Sequence, residues 1–348
     1  MMTPDEIRER LRAVEDPHLG DDIVSLGLVR EIAVDDEAET VQVTLGLGAP
    51  YSPTETSIAG RVRDKIDGTG YDIDLTATVD RGVDPEETVL PNVKNIIAVA
   101  SGKGGVGKST VAANLAAGLA DLGARVGLFD ADVYGPNVPQ MMGTDDQPQI
   151  TEDETMLPPV AHGVEIMSME FLLDESAPAI WRGPMVHKVL TQLWEDVDWG
   201  RGGHLDYMVV DLPPGTGDTQ LTMLQSIPVS GAVIVTTPQS VALDDAQRGM
   251  EMFGEHETPV LGIVENMSTF VCPDCGGRHD IFGSGGGETF AEETDMPFLG
   301  SIPLDPAVRT SENPVVLGND ETASAVTEFV ETTVDMQGVV HRRRESSQ

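Results

Sequence analysis

The sequence predicts an α/β fold in which a doubly wound, mainly parallel sheet is preceded by a small α+β domain. Three observations carry this. From Lys94 onward, short apolar runs alternate with helix-patterned segments. The first of those runs leads through a glycine-rich turn, Gly102 to Gly107, straight into a helix pattern. Upstream of both, a polar stretch holding Pro85 and Pro91 separates a unit of different pattern.

In chain order, residues 4–14 have helical spacing (Ile7, Leu11, Val14), ended by Asp16-Pro17. Residues 40–45 alternate as a strand, 57–66 read as a second helix, and 71–79 alternate again through Ile73, Leu75, Ala77 and Val79. Residues 1–82 thus form the small α+β domain and 83–93 a linker. In the domain expected over 94–335 the apolar runs are 96–100, 125–129, 207–210, 232–235, 260–264 and 298–302. Runs without alternation suit strands buried on both faces. Helix patterns at 109–122 and 184–194 lie between them, the second with Met185, Val186, Val189, Leu190 and Leu193 on one face. A parallel sheet of this kind binds its ligand at the strands' C-terminal ends. Residues 336–348, with Arg342-Arg343-Arg344, read as a disordered, solvated tail.

Composition narrows the function classes. Hydrophobic residues make up 40%, as in ordinary globular proteins. No stretch approaches the roughly 18 apolar residues that cross a bilayer. The start, Met1-Met2-Thr3-Pro4-Asp5-Glu6, lacks the basic n-region of a secretory signal. A soluble, cytoplasmic protein with no membrane partner is expected. The net charge of −38, from 59 acidic against 21 basic residues, disfavours nucleic-acid binding, which depends on cationic groups that release counterions. Such self-repulsion suits a halophilic cytoplasm, where concentrated cations screen it.

The run Gly102-Lys103-Gly104-Gly105-Val106-Gly107-Lys108-Ser109-Thr110 sits between a strand and a helix, the context a Walker A phosphate loop requires. Gly102, Gly104, Gly105 and Gly107 let the backbone curl so that its N–H groups meet phosphate oxygens, with the following helix dipole adding positive potential. Val106 and Thr110 complete the cradle. Lys108 would reach the β and γ phosphates of ATP, and Ser109 would coordinate Mg²⁺. Asp211, ending Met208-Val209-Val210-Asp211, fits a Walker B aspartate that holds magnesium through its water shell. The predicted fold class is therefore a P-loop NTPase. Taken alone, an aspartate at a strand end is more often a cap.

Lys103, directly after the first glycine, resembles the signature lysine of the deviant Walker A in the Mrp/MinD/ParA class of ATPases. The resemblance implies that Lys103 crosses a homodimer interface to touch the partner's nucleotide, with two ATP molecules held between subunits. It also implies that Asp132, in Phe129-Asp130-Ala131-Asp132, positions the attacking water, and that Asn266 contacts adenine. Lys103, Lys108 and Asp132 are thus the catalytic candidates.

Cys272 and Cys275 are the only cysteines, in one turn, Val271-Cys272-Pro273-Asp274-Cys275-Gly276-Gly277. That number excludes a disulfide framework and leaves a metal-binding, redox or incidental pair. A closed zinc or cluster site takes four ligands, and a two-fold dimer would supply four thiolates. His279 is a candidate third ligand within one chain.

Over about residues 92–335 the chain resembles Mrp/ApbC-type iron–sulfur cluster carriers. The likeness rests on Gly102 to Thr110, Asp130-Ala131-Asp132-Val133-Tyr134-Gly135-Pro136-Asn137, Trp181-Arg182-Gly183-Pro184-Met185, Asp211-Leu212-Pro213-Pro214-Gly215-Thr216-Gly217-Asp218, Glu265-Asn266-Met267 and the cysteine turn. It implies a labile [4Fe-4S] cluster bridging two subunits through Cys272 and Cys275 and passed to apo iron–sulfur proteins. The first 82 residues resemble a cluster-assembly domain through Asp16-Pro17-His18-Leu19-Gly20 and Ile23-Val24-Ser25-Leu26-Gly27-Leu28-Val29. Many relatives of that domain carry cysteine where Ser52 stands, so it is given no thiol role. The alternative is a MinD/ParA-like positioning ATPase with a zinc-stapled dimer; the sequence lacks the basic amphipathic C-terminal helix a membrane-binding version would use.

Overall fold

Ile96, Ile97, Ala98 and Val99 are consecutive and fully buried, so the strand that holds them must lie inside a sheet covered on both faces. In the computed structural model this strand is β4, and the described residues are 2–79, 89–132, 135–172, 189, 191–215, 217–272, 275–306 and 313–346. They divide into two compact units, Met1–Val83 with Val334–Gln348, and Asp84–Thr333.

The first unit contains α1 (Pro4–Leu11), β1 (Val29–Asp35), β2 (Thr40–Gly46), α2 (Pro53–Ile66) and β3 (Asp72–Thr78). A capping box starts α1: the Thr3 side chain accepts from Glu6 N while the Glu6 carboxylate accepts from Thr3 N. β1 and β2 pair antiparallel, β2 and β3 parallel. Ile7 and Leu11 of α1, Val41, Val43 and Leu45 of β2, and Ile58, Val62 and Ile66 of α2 form its core. β1 was not expected from the sequence: a register shift between Val29 and Glu31 breaks its alternation, and it buries little beyond its first residue.

The expected disordered tail is a correction. Helix α8 runs Glu321–Ser346, and from Val334 on it belongs to the first unit. Arg342, read as a solvated charge, is fully buried. Its Nε lies 2.5 Å from Asp16 Oδ2 and its guanidinium 2.8 Å from Glu55 Oε1. Asp335 accepts from the Thr54 backbone at 3.0 Å and from the hydroxyls of Ser52 and Thr54. Buried ion pairing and the apolar contacts of Val334 and Val339 order the segment. Ser52, fully buried, caps α2 by accepting from Glu55 N at 3.1 Å.

The second unit is built on β4 (Val93–Ala100), β5 (Val126–Asp130), β9 (Val164–Ser168), β10 (Leu205–Asp211), β11 (Gly231–Thr236), β12 (Val260–Val271) and β14 (Phe298–Leu304). These run parallel in the order β14-β12-β11-β4-β10-β5-β9. Short antiparallel strands close the ends, β13 (Arg278–His279) on β12 and β8 (Val160–Ala161) on β9, and β6 (Gln149–Ile150) pairs with β7 (Met156–Leu157) apart from the main sheet. Helices α3 (Lys108–Asp121), α4 (Val138–Met141), α5 (Asp218–Ser226), α6 (Ser240–Glu255) and α7 (Gly286–Glu293) connect them. α3 is alanine-rich and buried from Val111 to Leu119, which suits both its helicity and a close approach to the sheet. β9 was missed because Glu165 interrupts its apolar run; the carboxylate is satisfied by Gly200 N at 2.7 Å. The expected helix over 184–194 falls mostly outside the described residues. No helix among those described is long and apolar enough to cross a membrane.

Candidate nucleotide site and cysteine hairpin

β4 delivers the chain to Ser101 at the C-terminal edge of the sheet, and α3 restarts it at Lys108. The turn between is glycine for two reasons. Gly107 is left-handed (φ 84°) and a Cβ there would stand 2.1 Å from Asn266 Nδ2. At Gly102 a Cβ would stand 2.2 Å from the backbone of Asp245 on α6. No side chain caps α3, so its first N–H groups are left to meet an anion. Lys103, Gly105, Lys108, Ser109, Asp132 and Pro214 are among the residues around a cavity of about 200 Å³ at this point.

Beneath it, Lys108 Nζ lies 2.5 Å from Asp211 Oδ1 and 3.5 Å from the Ser109 hydroxyl. Burial pushes the Asp211 carboxyl up while Lys108 pulls it down. Among the described residues its buried Oδ2 has no hydrogen-bond partner. A hydroxyl and an unsatisfied carboxylate oxygen beside a phosphate-sized cavity are hard oxygen donors, a set that fits Mg²⁺. Asp130 stands beside Asp211 in the register of β5 and β10. Burial, and then the Asp211 charge, push the Asp130 carboxyl up to about 7.

A second cavity of about 300 Å³ shares Thr110 and Met141 with the first. Met267, Ile302, Pro303 and Val326 make it mostly apolar. An apolar slot that shares lining residues with a phosphate cradle suits a base and its sugar. Asn266 lines it and donates from Nδ2 to Val106 O at 2.9 Å, tying β12 to the phosphate loop. The slot's lining from β14 was not singled out in the sequence; the signal available was Pro303, at the C-terminal end of an expected strand.

The cysteines lie on a hairpin at the far end of β12. Phe270 and Val271 pair with His279 and Arg278 of β13. Cys272 N donates to Gly277 O at 2.9 Å and Gly276 N to Cys272 O at 2.8 Å, closing a tight knuckle with Gly276 left-handed. Cys272 is half-buried and Cys275 exposed. Among the described residues no three His, Cys, Asp or Glu side chains gather into a metal-holding group.

The structure therefore brings Lys103, Gly104, Gly105, Gly107, Lys108, Ser109, Thr110 and Asp132 to one cavity, sets Asp211 against Lys108, and holds Cys272 and Cys275 on a separate hairpin. Trp181 to Met185, Val133, Tyr134 and Thr216 lie outside the described residues.

Residues 92–335 match the family described as NUBPL iron-transfer P-loop NTPase, and residues 4–72 match an iron–sulfur cluster assembly protein family. The chain is 45% identical over 339 residues to an iron–sulfur cluster carrier protein of Synechocystis sp., covering 93% of this chain and 94% of that protein. It is 48% identical over 254 residues to the mouse iron–sulfur cluster transfer protein NUBPL, covering 71% and 78%. Among solved structures, a nucleotide-binding protein of Archaeoglobus fulgidus in complex with ADP superposes with a TM-score of 0.58 at 37% identity, covering 68% of this chain and 91% of that one. The Pyrococcus furiosus cell-division ATPase MinD, at TM-score 0.50 and 23% identity over 68% and 97%, shares the fold. The phosphate loop, the parallel sheet that presents it and these matches together show that the chain belongs to the Mrp/ApbC family of iron–sulfur cluster carrier P-loop NTPases.

Proposed function

We propose that this protein carries a [4Fe-4S] cluster between two copies of the chain, hydrolyses ATP, and passes the cluster to apo iron–sulfur proteins. Lys108 would leave Asp211 for the β and γ phosphates, and Ser109 and Asp211 would hold Mg²⁺, which would supply neutralising charge there. Asp132 orients the attacking water. Lys103 reaches across the dimer and stabilises charge on the transferring phosphoryl, as an arginine finger does. Asn266 and the apolar slot take the adenosine end. Cys272 and Cys275 of each copy hold the cargo.

The observation that carries this reading is the knuckle itself. It holds Cys272 and Cys275 together at the end of β12, with Cys275 exposed, and a second copy would bring the thiolates to four. Anaerobic reconstitution tests it: iron and sulfide should load with broad visible absorbance, ATP should be hydrolysed, and an apo-acceptor should gain the cluster. Zinc in place of iron, with no transfer, would instead favour a zinc-stapled positioning ATPase.

A further inference from the structure

Asp130 ends β5 with no exposed surface, and its carboxylate gathers four donors. Oδ1 accepts from Asp132 N at 3.2 Å. Oδ2 accepts from Asn137 N at 3.1 Å, Val138 N at 3.2 Å and the Ser168 hydroxyl at 3.0 Å. Ser168, equally buried at the end of β9, also accepts from Glu170 N at 3.0 Å. The donors at 132, 137 and 138 flank the loop whose Asp132, Gly135 and Asn137 border the phosphate cavity. One carboxylate thus grips both ends of that loop, while Ser168 fixes the carboxylate to the neighbouring strand. Neither Asp130 nor Ser168 borders the cavity, and both are fully buried.

We propose that Asp130 and Ser168 are positioning residues for ATP hydrolysis, acting through the placement of Asp132. This rests on Asp132 as the group that orients the attacking water. Such a group must be held to within a fraction of an ångström, because misplacement by about 1 Å costs about 10²-fold in rate. Asparagine at position 130 keeps the shape of the side chain but turns one acceptor oxygen into a donor. That amide then faces N–H groups it cannot accept from, and one end of the loop is released.

The test measures kcat and ATP affinity in the full-length chain for Asp130→Asn, Ser168→Ala and Asp132→Asn, and for each of the first two combined with Asp132→Asn. Asp130→Asn should lower kcat about 10²-fold and leave ATP affinity close to the parental value. Ser168→Ala should cause a smaller loss of the same kind, since one bond of four goes. In the Asp132→Asn background neither change should slow hydrolysis further, because the group they place is gone. Effects that multiply in the double variants, or ATP affinity that falls with kcat, would overturn the positioning role and leave Asp132 standing. A parental rate for Asp132→Asn alone would overturn the reading of Asp132 and this inference with it. If Asp130→Asn does not fold, Ser168→Ala carries the same comparison.

Discussion

The Lys108 ammonium and the Asp211 carboxylate meet 2.5 Å apart, and both side chains are buried. The phosphate-loop lysine is thus held against the end of β10, where a nucleotide's phosphates would compete for it. Lys108→Ala removes the phosphate cation and also leaves Asp211 buried without its counter-charge. ATP hydrolysis should be lost, and the variant should be destabilised by about 3 kcal/mol. An ATPase assay and denaturant melts check both; hydrolysis at the parental rate would contradict the nucleotide assignment.

Arg342 stands between two carboxylates, Asp16 and Glu55, with no exposed surface. Arg342→Ala strands both acids in the interior of the first unit, at a cost of about 3–5 kcal/mol. Hydrogen exchange should quicken in α2 and in residues 334–346, while ATP binding persists. Unchanged protection there would mean that the segment docks by its apolar residues alone.

One guanidinium cannot neutralise two buried carboxylates, and burial raises the Glu55 carboxyl above 4.5 despite Arg342. The sign follows from proton counting. With the native value raised, the folded state binds more protons than the unfolded one between the two values, so stability falls as pH rises through that window. The contribution is complete below 4.5 and lost above the native value of Glu55. Glu55→Gln keeps acceptor and shape without the charge. Melts of parent and variant should therefore diverge as pH rises from about 4, the parent losing ground; parallel profiles would contradict the raised value.

The net charge of −38 predicts a fold that depends on salt. Screening shortens from about 10 Å at 0.1 M to about 3 Å at 1 M. Melting temperature should climb with KCl into the molar range. A melting temperature indifferent to salt would contradict the halophilic reading while leaving the site untouched.

What could be read in the sequence was local. The β4-turn-α3 unit is encoded within residues 93–121, so spacing alone exposed the glycines, Lys108 and Ser109. The described strands of the parallel sheet, β9 excepted, showed through because burial on both faces makes continuous apolar runs. Features joining distant positions stayed hidden. Arg342 finds Asp16 across 326 residues, and nothing near the arginine run marks one of three as buried. The apolar slot is assembled from α3, α4, β12, β14 and α8, and beyond Thr110, Asn266 and Met267 its lining carries no signature. Asp130 looked like a neighbour of Asp132 in the same short motif. Its grip on Asn137, Val138 and Ser168 appears only once the loop closes.

If two copies of the Cys272/Cys275 knuckle hold one cluster, as proposed above, single-cysteine variants should reveal it in their iron content. Reconstituted parent should hold about two irons per chain, as one [4Fe-4S] per dimer requires. Symmetry repeats each substitution, so Cys272→Ala and Cys275→Ala each remove two of four thiolates. Each should lose iron as completely as the double variant does, and each should still bind ATP. A single variant that keeps parental iron and passes it to an apo-acceptor at the parental rate would contradict the shared site.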